Sequence, residues 1–245
     1  MPAPPYRDFY YPLNVFMHIL THEEGGVSYL HYGFFERDGE TMREAQERAT
    51  AALLRRLPPP PARLLDAGSG VGTTLARLTK LGYDALGITP DEKQVAVVKS
   101  RIGAPNVRCI RFEDLEPSDF DAVIFQESSQ YIDSSALFAK ARELTRHVIV
   151  FDELAMVPAA LHSYDDFMRA AAAHGFEKVE EIDVSDQAAP SVDYFNARLE
   201  RYRDLLIADL GITNEQVDAL IAGGVEYRDR YAAGDYVYRV LQFRR

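Results

Sequence analysis

Apolar and polar positions follow two different patterns along the chain, and the pattern changes near residue 62. Before this point, apolar residues recur at helical intervals behind Thr41 and Glu44, which have the Ser/Thr-x-x-Glu spacing of a capping box. The prolines at 58–61 end this predicted helix. The first forty residues are rich in aromatic side chains and histidines, so we expect them to dock on the rest of the protein.

After residue 62, short apolar runs alternate with helical segments. Runs such as 148–151 are apolar at consecutive positions, which is typical of strands covered on both faces. Repeated strand–helix units predict an α/β fold with a doubly wound, mainly parallel sheet. The predicted strands are 63–67, 84–89, 107–111, 121–126, 147–152, 176–184 and 236–243. The predicted helices are 71–81, 91–102, 133–146, 163–174 and a helical stretch over 193–232, in which the capping-box spacing of Thr213 and Gln216 restarts a helix after Gly211.

Composition narrows the class of protein further. The chain has 245 residues, 47% of them apolar, and a net charge of −11, so we expect a folded α/β domain with an appendage and no nucleic-acid partner. A single cysteine, Cys109, excludes an intrachain disulfide and a thiolate metal cage, and we expect it to be buried. No 18-residue apolar stretch occurs. We therefore expect a cytoplasmic monomer or homodimer with a small-molecule substrate and no membrane partner.

A glycine-rich turn follows the first predicted strand. Gly68 and Gly70 let the backbone turn sharply and approach a ligand, while the next helix offers free amide groups. The third glycine, Gly72, comes one residue too early for the Gly-x-Gly-x-x-Gly dinucleotide motif, position 73 is Thr, and no Gly-Lys-Ser/Thr of a P-loop follows. Asp66, just before the turn, would repel a pyrophosphate but suits a zwitterion that carries an ammonium group.

The segment Leu64-Leu-Asp-Ala-Gly-Ser-Gly-Val-Gly72 resembles the first motif of class I S-adenosylmethionine (SAM)-dependent methyltransferases. The resemblance covers about residues 60–155 and the final strand. It implies a Rossmann-like seven-stranded sheet with an antiparallel last strand, and SAM as the cofactor at the carboxyl ends of the first strands. Asp66, Gly68, Gly70 and Gly72 would then bind SAM.

The same resemblance divides the chain into four parts. We expect residues 1–60 to form a helical, aromatic N-terminal lid and residues 61–185 to form the SAM-binding α/β core. We expect residues 186–234 to form a helical insertion that acts as a second lid, and residues 235–245 to form the last core strand.

The end of the second strand is similar to the cyclopropane-fatty-acid-synthase-like branch of the family. In that branch a Thr and a Gln five residues later hold the ribose and methionine portions, and Thr89 and Gln94 match this spacing. Thr89 and Glu92 also have the spacing of a capping box, with Pro90 at the first helical position. Asp91 remains a rival partner for the ribose.

The third strand ends in an aromatic residue followed by acids. In the same branch such a pair surrounds the adenine, so Phe112 would stack on the ring and Glu113 would accept a hydrogen bond from its amino group. The alternative is that Glu113 and Asp114 are solvated loop acids.

An aromatic segment before the first strand could cover the cofactor. His31-Tyr-Gly-Phe-Phe35 resembles the lid segment that touches SAM in this branch, so His31 is a candidate cofactor contact. With Tyr10 and Tyr11 it could close an aromatic chamber that excludes water. The tyrosines of the 186–234 insertion have helical spacing, which is more typical of core packing, and receive no individual role.

The acceptor would face the ends of the fourth and fifth strands. Methyl transfer is an in-line displacement that needs alignment and, for a protonated nucleophile, a base. Glu127 is the candidate base or orienting carboxylate, Tyr131 the positioning hydroxyl, and Gln126 lies nearer the cofactor. Glu127 could instead cap the next helix or pair with an arginine. Gln130 stands where the cyclopropane-synthase branch has an acid, which argues against lipid cyclopropanation.

The histidines outside the lid segment predict no metal site, because His18, His22, His162 and His174 show no ligand spacing that other residues support. The sequence therefore predicts a methyltransferase of specialised metabolism that acts on carbon, nitrogen or oxygen of a small organic acceptor. Two alternatives stay open: a non-catalytic SAM-binding module, and an enzyme that uses SAM in a cyclisation or rearrangement without methyl transfer.

Overall fold

A seven-stranded sheet forms the centre of the protein in the computed structural model, which describes residues 6–102 and 106–245. The strands are β1 (Arg63–Ala67), β2 (Asp84–Thr89), β3 (Val107–Cys109), β4 (Ala122–Gln126), β5 (His147–Ala155), β6 (Glu177–Asp183) and β7 (Tyr236–Arg244). Their spatial order is β3-β2-β1-β4-β5-β7-β6. The first five strands are parallel, whereas β7 runs antiparallel to β5 and β6. The predicted α/β fold with an antiparallel last strand is confirmed.

Helices cover both faces of the sheet. They are α1 (Leu13–Glu24), α2 (Met42–Leu54), α3 (Thr73–Lys80), α4 (Glu92–Ile102), α5 (Ser134–Leu144), α6 (Tyr164–Ala173), α7 (Ser185–Ala188), α8 (Pro190–Arg201), α9 (Arg203–Leu210) and α10 (Asn214–Ala233). Thr41 and Glu44 form the predicted capping box of α2. The chain thus uses local hydrogen bonds to begin α2 where the sequence pattern indicates.

The helical stretch predicted over 193–232 consists of three helices, and its predicted restart at Thr213 after Gly211 is confirmed, whereas the break at Tyr202 was not predicted. The backbone leaves the helical conformation at Tyr202, between α8 and α9, and Gly211 ends α9 with a left-handed φ of 71°. A capping box between Thr213 and Gln216 then begins α10. Glycine adopts positive φ without the steric cost that a side chain imposes, which explains the break at this position.

The apolar core lies on the two faces of the sheet. Ile124 of β4 belongs to one buried cluster, whereas its neighbours Val123 and Phe125 belong to the cluster on the opposite face. Every residue of β5 is buried. Consecutive apolar runs in the sequence therefore correspond to strands covered on both sides.

Cys109 is exposed, which corrects the expectation that it is buried. Strand β3 lies at the edge of the sheet and pairs with β2 alone. The strand is also shorter than predicted, because Phe112–Asp114 form a turn of 3₁₀ helix. Arg108 and Cys109 are both exposed although they lie on opposite faces of the strand, because β3 is a short strand at the edge of the sheet and only Val107 is covered.

The N-terminal segment docks on the insertion. Val15 and Ile19 of α1 are buried against Leu199 of α8 and Leu206 of α9. The division into lid, core and insertion at residues 60, 185 and 234 stays a prediction. In the described part of the chain, the helices are too short or too polar to cross a membrane.

Candidate active site

The glycine turn between β1 and α3 forms one wall of a cleft. Gly68, Gly70 and Gly72 have φ values of 88°, 53° and 80°, a region that side chains disfavour. A Cβ atom added at Gly68 would lie 2.3 Å from Cβ of Ser128. At Gly70, an added Cβ would meet Cδ1 of Leu30 at 3.2 Å. The turn therefore requires small residues, for its backbone conformation and for the close approach of Ser128, which follows β4, and of Leu30, which lies between α1 and α2.

Two buried polar atoms beside this turn have no hydrogen-bond partner within the described residues: Oδ2 of Asp66 and Nε2 of Gln126. Both residues line the cleft. The amide oxygen of Gln126 accepts a hydrogen bond from Thr74 at 3.2 Å, which directs the amide nitrogen elsewhere. Burial raises the pKa of Asp66 to about 7. The acceptor Oδ2 of Asp66 could bind the ammonium group of an amino acid, and the donor Nε2 of Gln126 could bind its carboxylate.

The structure joins the two residues predicted to follow the second strand. The Thr89 hydroxyl donates to Oε1 of Gln94 at 2.7 Å, and both side chains line the cleft. The Thr89 hydroxyl also accepts a hydrogen bond from the backbone amide of Asp91 at 3.3 Å, just before α4. Asp91 caps α4 itself, since its Oδ1 accepts from the backbone amide of Lys93 at 2.8 Å.

Phe112 and Glu113 lie at the same end of the cleft. Phe112 is 4% exposed and packs edge-to-face on Phe125 with ring centroids 5.0 Å apart. Glu113 accepts a hydrogen bond from the guanidinium group of Arg111 at 2.5 Å. Glu113 thus lines the cleft as the partner of Arg111. Its predicted hydrogen bond to the adenine amino group stays a prediction.

The segment that connects α1 to α2 covers the cleft and is tied down along its length. The Tyr32 amide donates to Glu127 at 2.6 Å, and the Gly33 amide donates to the Ser191 hydroxyl at 3.0 Å. The Phe34 amide bonds to the Ala45 carbonyl at 2.9 Å. These three hydrogen bonds therefore fix the segment beside the glycine turn.

His31 lies in this segment and lines the cleft. Its Nδ1 contacts the Tyr32 carbonyl at 2.7 Å and its Nε2 contacts the Thr50 hydroxyl at 3.1 Å. Burial lowers its pKa to about 4, so the ring is neutral at neutral pH. Because both ring nitrogens have partners in the protein, a cofactor would meet the imidazole by packing alone.

Glu127 joins three parts of the molecule at the end of β4. Its Oε1 accepts hydrogen bonds from the Tyr32 amide at 2.6 Å and from the Tyr238 hydroxyl at 2.8 Å. Its backbone has a φ of 55°, which is unusual for a residue with a side chain. Burial and the neighbouring carboxylates of Glu153 and Asp152 raise its pKa well above the usual value. The two alternatives weighed from the sequence, a helix cap and an arginine pair, are not the contacts observed.

Two further carboxylates, those of Asp152 and Glu153 in the second half of β5, lie near Glu127. Asp152 accepts from the Ser129 amide at 2.9 Å, and burial raises its pKa to about 6. Glu153 accepts hydrogen bonds from the hydroxyls of Tyr227, at 3.1 Å, and Tyr231. Burial raises the pKa of Glu153 to about 7. Asp152 and Glu153 are buried and do not line the cleft themselves, but their carboxyl groups act on Glu127, which does.

The cleft opens between Tyr10 and Tyr131. Its volume is about 420 Å³, which lies within the range of small-molecule sites. Tyr131 is 79% exposed and Tyr10 is 53% exposed. Tyr11 takes no part in the lining and donates to the Gln216 carbonyl at 3.1 Å. The expected aromatic chamber therefore has Tyr10 and Tyr131 at its mouth, while Tyr11 attaches the N-terminal segment to α10.

Several residues of the site gave no signal in the sequence. Thr74 orients Gln126, and its place in the first turn of α3 is the one feature that could have indicated this role. Tyr238 reaches Glu127 from β7, 111 positions along the chain. Tyr227 and Tyr231 lie on α10, where helical spacing indicates packing alone. These pairings depend on the tertiary fold.

Comparison with known proteins identifies the domain. A family model described as a methyltransferase domain matches residues 65–148. A curated relative, the ubiquinone biosynthesis O-methyltransferase of Bradyrhizobium diazoefficiens, is 29% identical over 83 residues, which are 32% of this chain and 33% of the relative. The chain thus matches about a third of the length of this curated relative.

Solved structures share the fold over most of the chain. The cyclopropane synthase MmaA2 from Mycobacterium tuberculosis superposes with a TM-score of 0.78 at 16% identity, covering 89% of this chain and 90% of that one. The [4+2]-cyclase SpnF superposes with a TM-score of 0.79 at 20% identity, covering 100% of this chain and 98% of that one. At these identities the likeness concerns the fold.

The matched segment includes β1, the glycine turn and β4, which carry the orphan atoms of Asp66 and Gln126. SAM is the cofactor of this domain family, and the donor and acceptor beside the turn suit its amino-acid portion. The domain match, the strand order and the cleft agree: the chain contains a methyltransferase domain at residues 65–148 and has the fold of class I SAM-dependent methyltransferases.

Proposed function

We propose that this protein transfers a methyl group from SAM to carbon, nitrogen or oxygen of a small organic acceptor in specialised metabolism. The observation that carries the proposal is the pair of unpartnered buried atoms, Oδ2 of Asp66 and Nε2 of Gln126, in one cleft beside the glycine turn. Burying such atoms without partners is costly. A ligand with an ammonium and a carboxylate group would satisfy both.

The remaining cofactor contacts follow from the lining of the cleft. The glycine turn, Asp66 and the Thr89–Gln94 pair line the same cleft, so one ligand can reach all of them. The proposed cofactor-binding residues that line the cleft are His31, Asp66, Gly68, Gly70, Thr89, Gln94, Phe112, Glu113 and Gln126. Gly72, also proposed from the sequence, does not line the cleft and lies close to Val98, where an added Cβ would be 2.8 Å from Cγ2.

SAM supplies a methyl group on a sulfonium centre, which transfers by in-line displacement. The protein has to align the acceptor and remove its proton where it carries one. Glu127 is the proposed proton acceptor, because it lines the cleft and its pKa is raised well above the usual value. Tyr131, exposed at the mouth, is the proposed positioning hydroxyl.

The electrostatics of the site favour an uncharged or cationic acceptor. Glu127, Asp152 and Glu153 lie together at the ends of β4 and β5, and the whole chain carries a net charge of −11. An anionic acceptor would further disfavour the ionised form of these buried carboxyl groups, whereas a cationic acceptor would favour it. The same charge opposes binding to nucleic acid and to anionic membranes.

Incubation with methyl-labelled SAM and a panel of amines, phenols and enolisable carbonyl compounds tests the proposal. We expect label in an extractable small product, and we expect Glu127→Gln to reduce its formation while SAM binding persists. Binding of SAM without any labelled product would contradict methyl transfer. Such a result would favour a non-catalytic module or a rearrangement enzyme, the activity that the name of the [4+2]-cyclase SpnF describes.

A further inference from the structure

A second polar cluster lies between α1 and α9, where the N-terminal segment meets the insertion. His18 and His22 are one helical turn apart on α1, and Asp209 lies near the end of α9. One ring nitrogen of each histidine and a carboxylate oxygen of Asp209 lie within 4.8 Å of one another. The sequence gave no support for a metal here, because the third residue is 191 positions from His18.

The interior of this cluster is incompletely satisfied. His18 is 2% exposed and its Nε2 lies 3.0 Å from Oδ2 of Asp209. Its Nδ1 is buried without a hydrogen-bond partner in the described ranges. The ring of His22 packs edge-to-face on that of His18, with centroids 4.6 Å apart, and is exposed on its outer side. The cluster thus combines a carboxylate with two imidazoles, is open to solvent at His22, and leaves one ring nitrogen of His18 without a partner in the described ranges, so a cation could bind there.

We propose that His18, His22 and Asp209 bind a divalent transition metal and thereby fasten α1 to α9. Two imidazoles and one carboxylate suit Zn²⁺ and its borderline-soft neighbours better than Mg²⁺ or Ca²⁺, which prefer oxygen ligands. Histidines at i and i+4 on a helix are a common half of such sites. The exposed side of His22 leaves room for water to complete the coordination shell.

The distances are compatible with this assignment after side-chain movements. Ligand atoms bound at about 2.1 Å to one tetrahedral ion lie about 3.4 Å apart. The ligand atoms observed, within 4.8 Å of one another, therefore need to approach by up to about 1.4 Å. His22 is exposed and can supply this movement by rotation.

The test is calorimetry with ZnCl₂ on the full chain, after removal of any affinity tag and treatment with a chelator. We expect saturable binding of one Zn²⁺ per chain. At a free Zn²⁺ concentration of a hundred times Kd, the melting temperature should rise by about 5–10 °C. His22→Gln and Asp209→Asn should each weaken binding at least about tenfold, since even residues that merely support metal ligands contribute this much.

His174→Gln is the matched control, because His174 lies at the end of α6 and bonds to Ser135, away from the cluster. It should bind Zn²⁺ like the wild type. Circular dichroism checks that each variant is folded, and His22→Gln changes an exposed side chain that the core does not need. Absence of saturable binding, or equal binding by the wild type and both ligand variants, would overturn the proposal.

Discussion

The substitution Asp66→Asn tests two effects of this residue: its effect on the free energy of unfolding and its contribution to the affinity for the cofactor. Asp66 is 2% exposed, and burial raises its pKa from 3.8 to about 7. Each pH unit between two pKa values corresponds to 1.36 kcal/mol, so ionised Asp66 lowers the free energy of unfolding by about 4 kcal/mol above pH 7. Below pH 3.8, Asp66 is protonated in both the folded and the unfolded protein and does not lower the free energy of unfolding. As pH rises from 3.8 to about 7, the unfolded protein loses this proton first, so the free energy of unfolding falls.

Asp66→Asn should therefore stabilise the ligand-free protein at pH 8, and the gain should disappear towards pH 4. An unpartnered buried amide costs about 1–3 kcal/mol, which leaves a net gain of about 1–3 kcal/mol at pH 8. The same substitution removes a charged partner for the ammonium group of the cofactor. A charged hydrogen bond contributes about 1.5–3 kcal/mol, so Kd should rise about 10–150-fold.

The assay is calorimetry with S-adenosylhomocysteine, which keeps the ammonium group and undergoes no methyl transfer, beside urea unfolding at several pH values. Because a proton competes for Asp66, the wild-type Kd should fall about 30-fold from pH 5.5 to pH 8, whereas the variant should show no such trend. Asp84→Asn, an exposed acid at the opposite end of β2, is the control and should change neither quantity. A variant that binds like the wild type, or a wild-type Kd independent of pH, would refute the reasoning.

Three further predictions address other parts of the site. Glu127→Gln should lower turnover by about 100-fold or more with little change in cofactor Kd, as measured by the labelled-methyl assay; unchanged turnover would remove Glu127 from proton transfer. Gly68→Ala should destabilise the protein in urea by about 1–3 kcal/mol more than Gly82→Ala, because both glycines have a φ of 88° but an added Cβ meets Ser128 at the first and nothing within 4 Å at the second. Equal losses would contradict the close approach. Burial raises the pKa of Glu153 to about 7, so its contribution to stability should be lost as pH rises from about 4 to 7, and Glu153→Gln should flatten this decline in chemical unfolding; a decline of the same slope in the variant would assign it to other groups.

The parallel part of the fold could be predicted because its signals are local. The apolar run of β1 is bounded by prolines before it and by the glycine turn after it, and both ends of the strand agree with the prediction. Helix α1 was not predicted, because Pro12 precedes it without a side-chain cap and its apolar positions are mixed with histidines. Tertiary contacts with α8 and α9, and not a local signal, hold this helix in place.

The site was predictable where one segment carries several of its residues. Asp66 and the glycines follow β1 directly, and Thr89 and Gln94 lie within one strand–helix connection. The contacts of Glu127 with Tyr32 and Tyr238, at separations of 95 and 111 positions, had no counterpart in the sequence pattern. Spacing along the chain cannot indicate which distant hydroxyl or amide a buried carboxylate meets.

A crystal structure with S-adenosylhomocysteine tests the central claim most directly. We expect its ammonium group within about 3 Å of the Asp66 carboxylate and its carboxylate within reach of the Gln126 amide, beside the glycine turn. A ligand bound elsewhere, or a turn filled by a side chain of the protein itself, would contradict the assignment of this cleft to the cofactor.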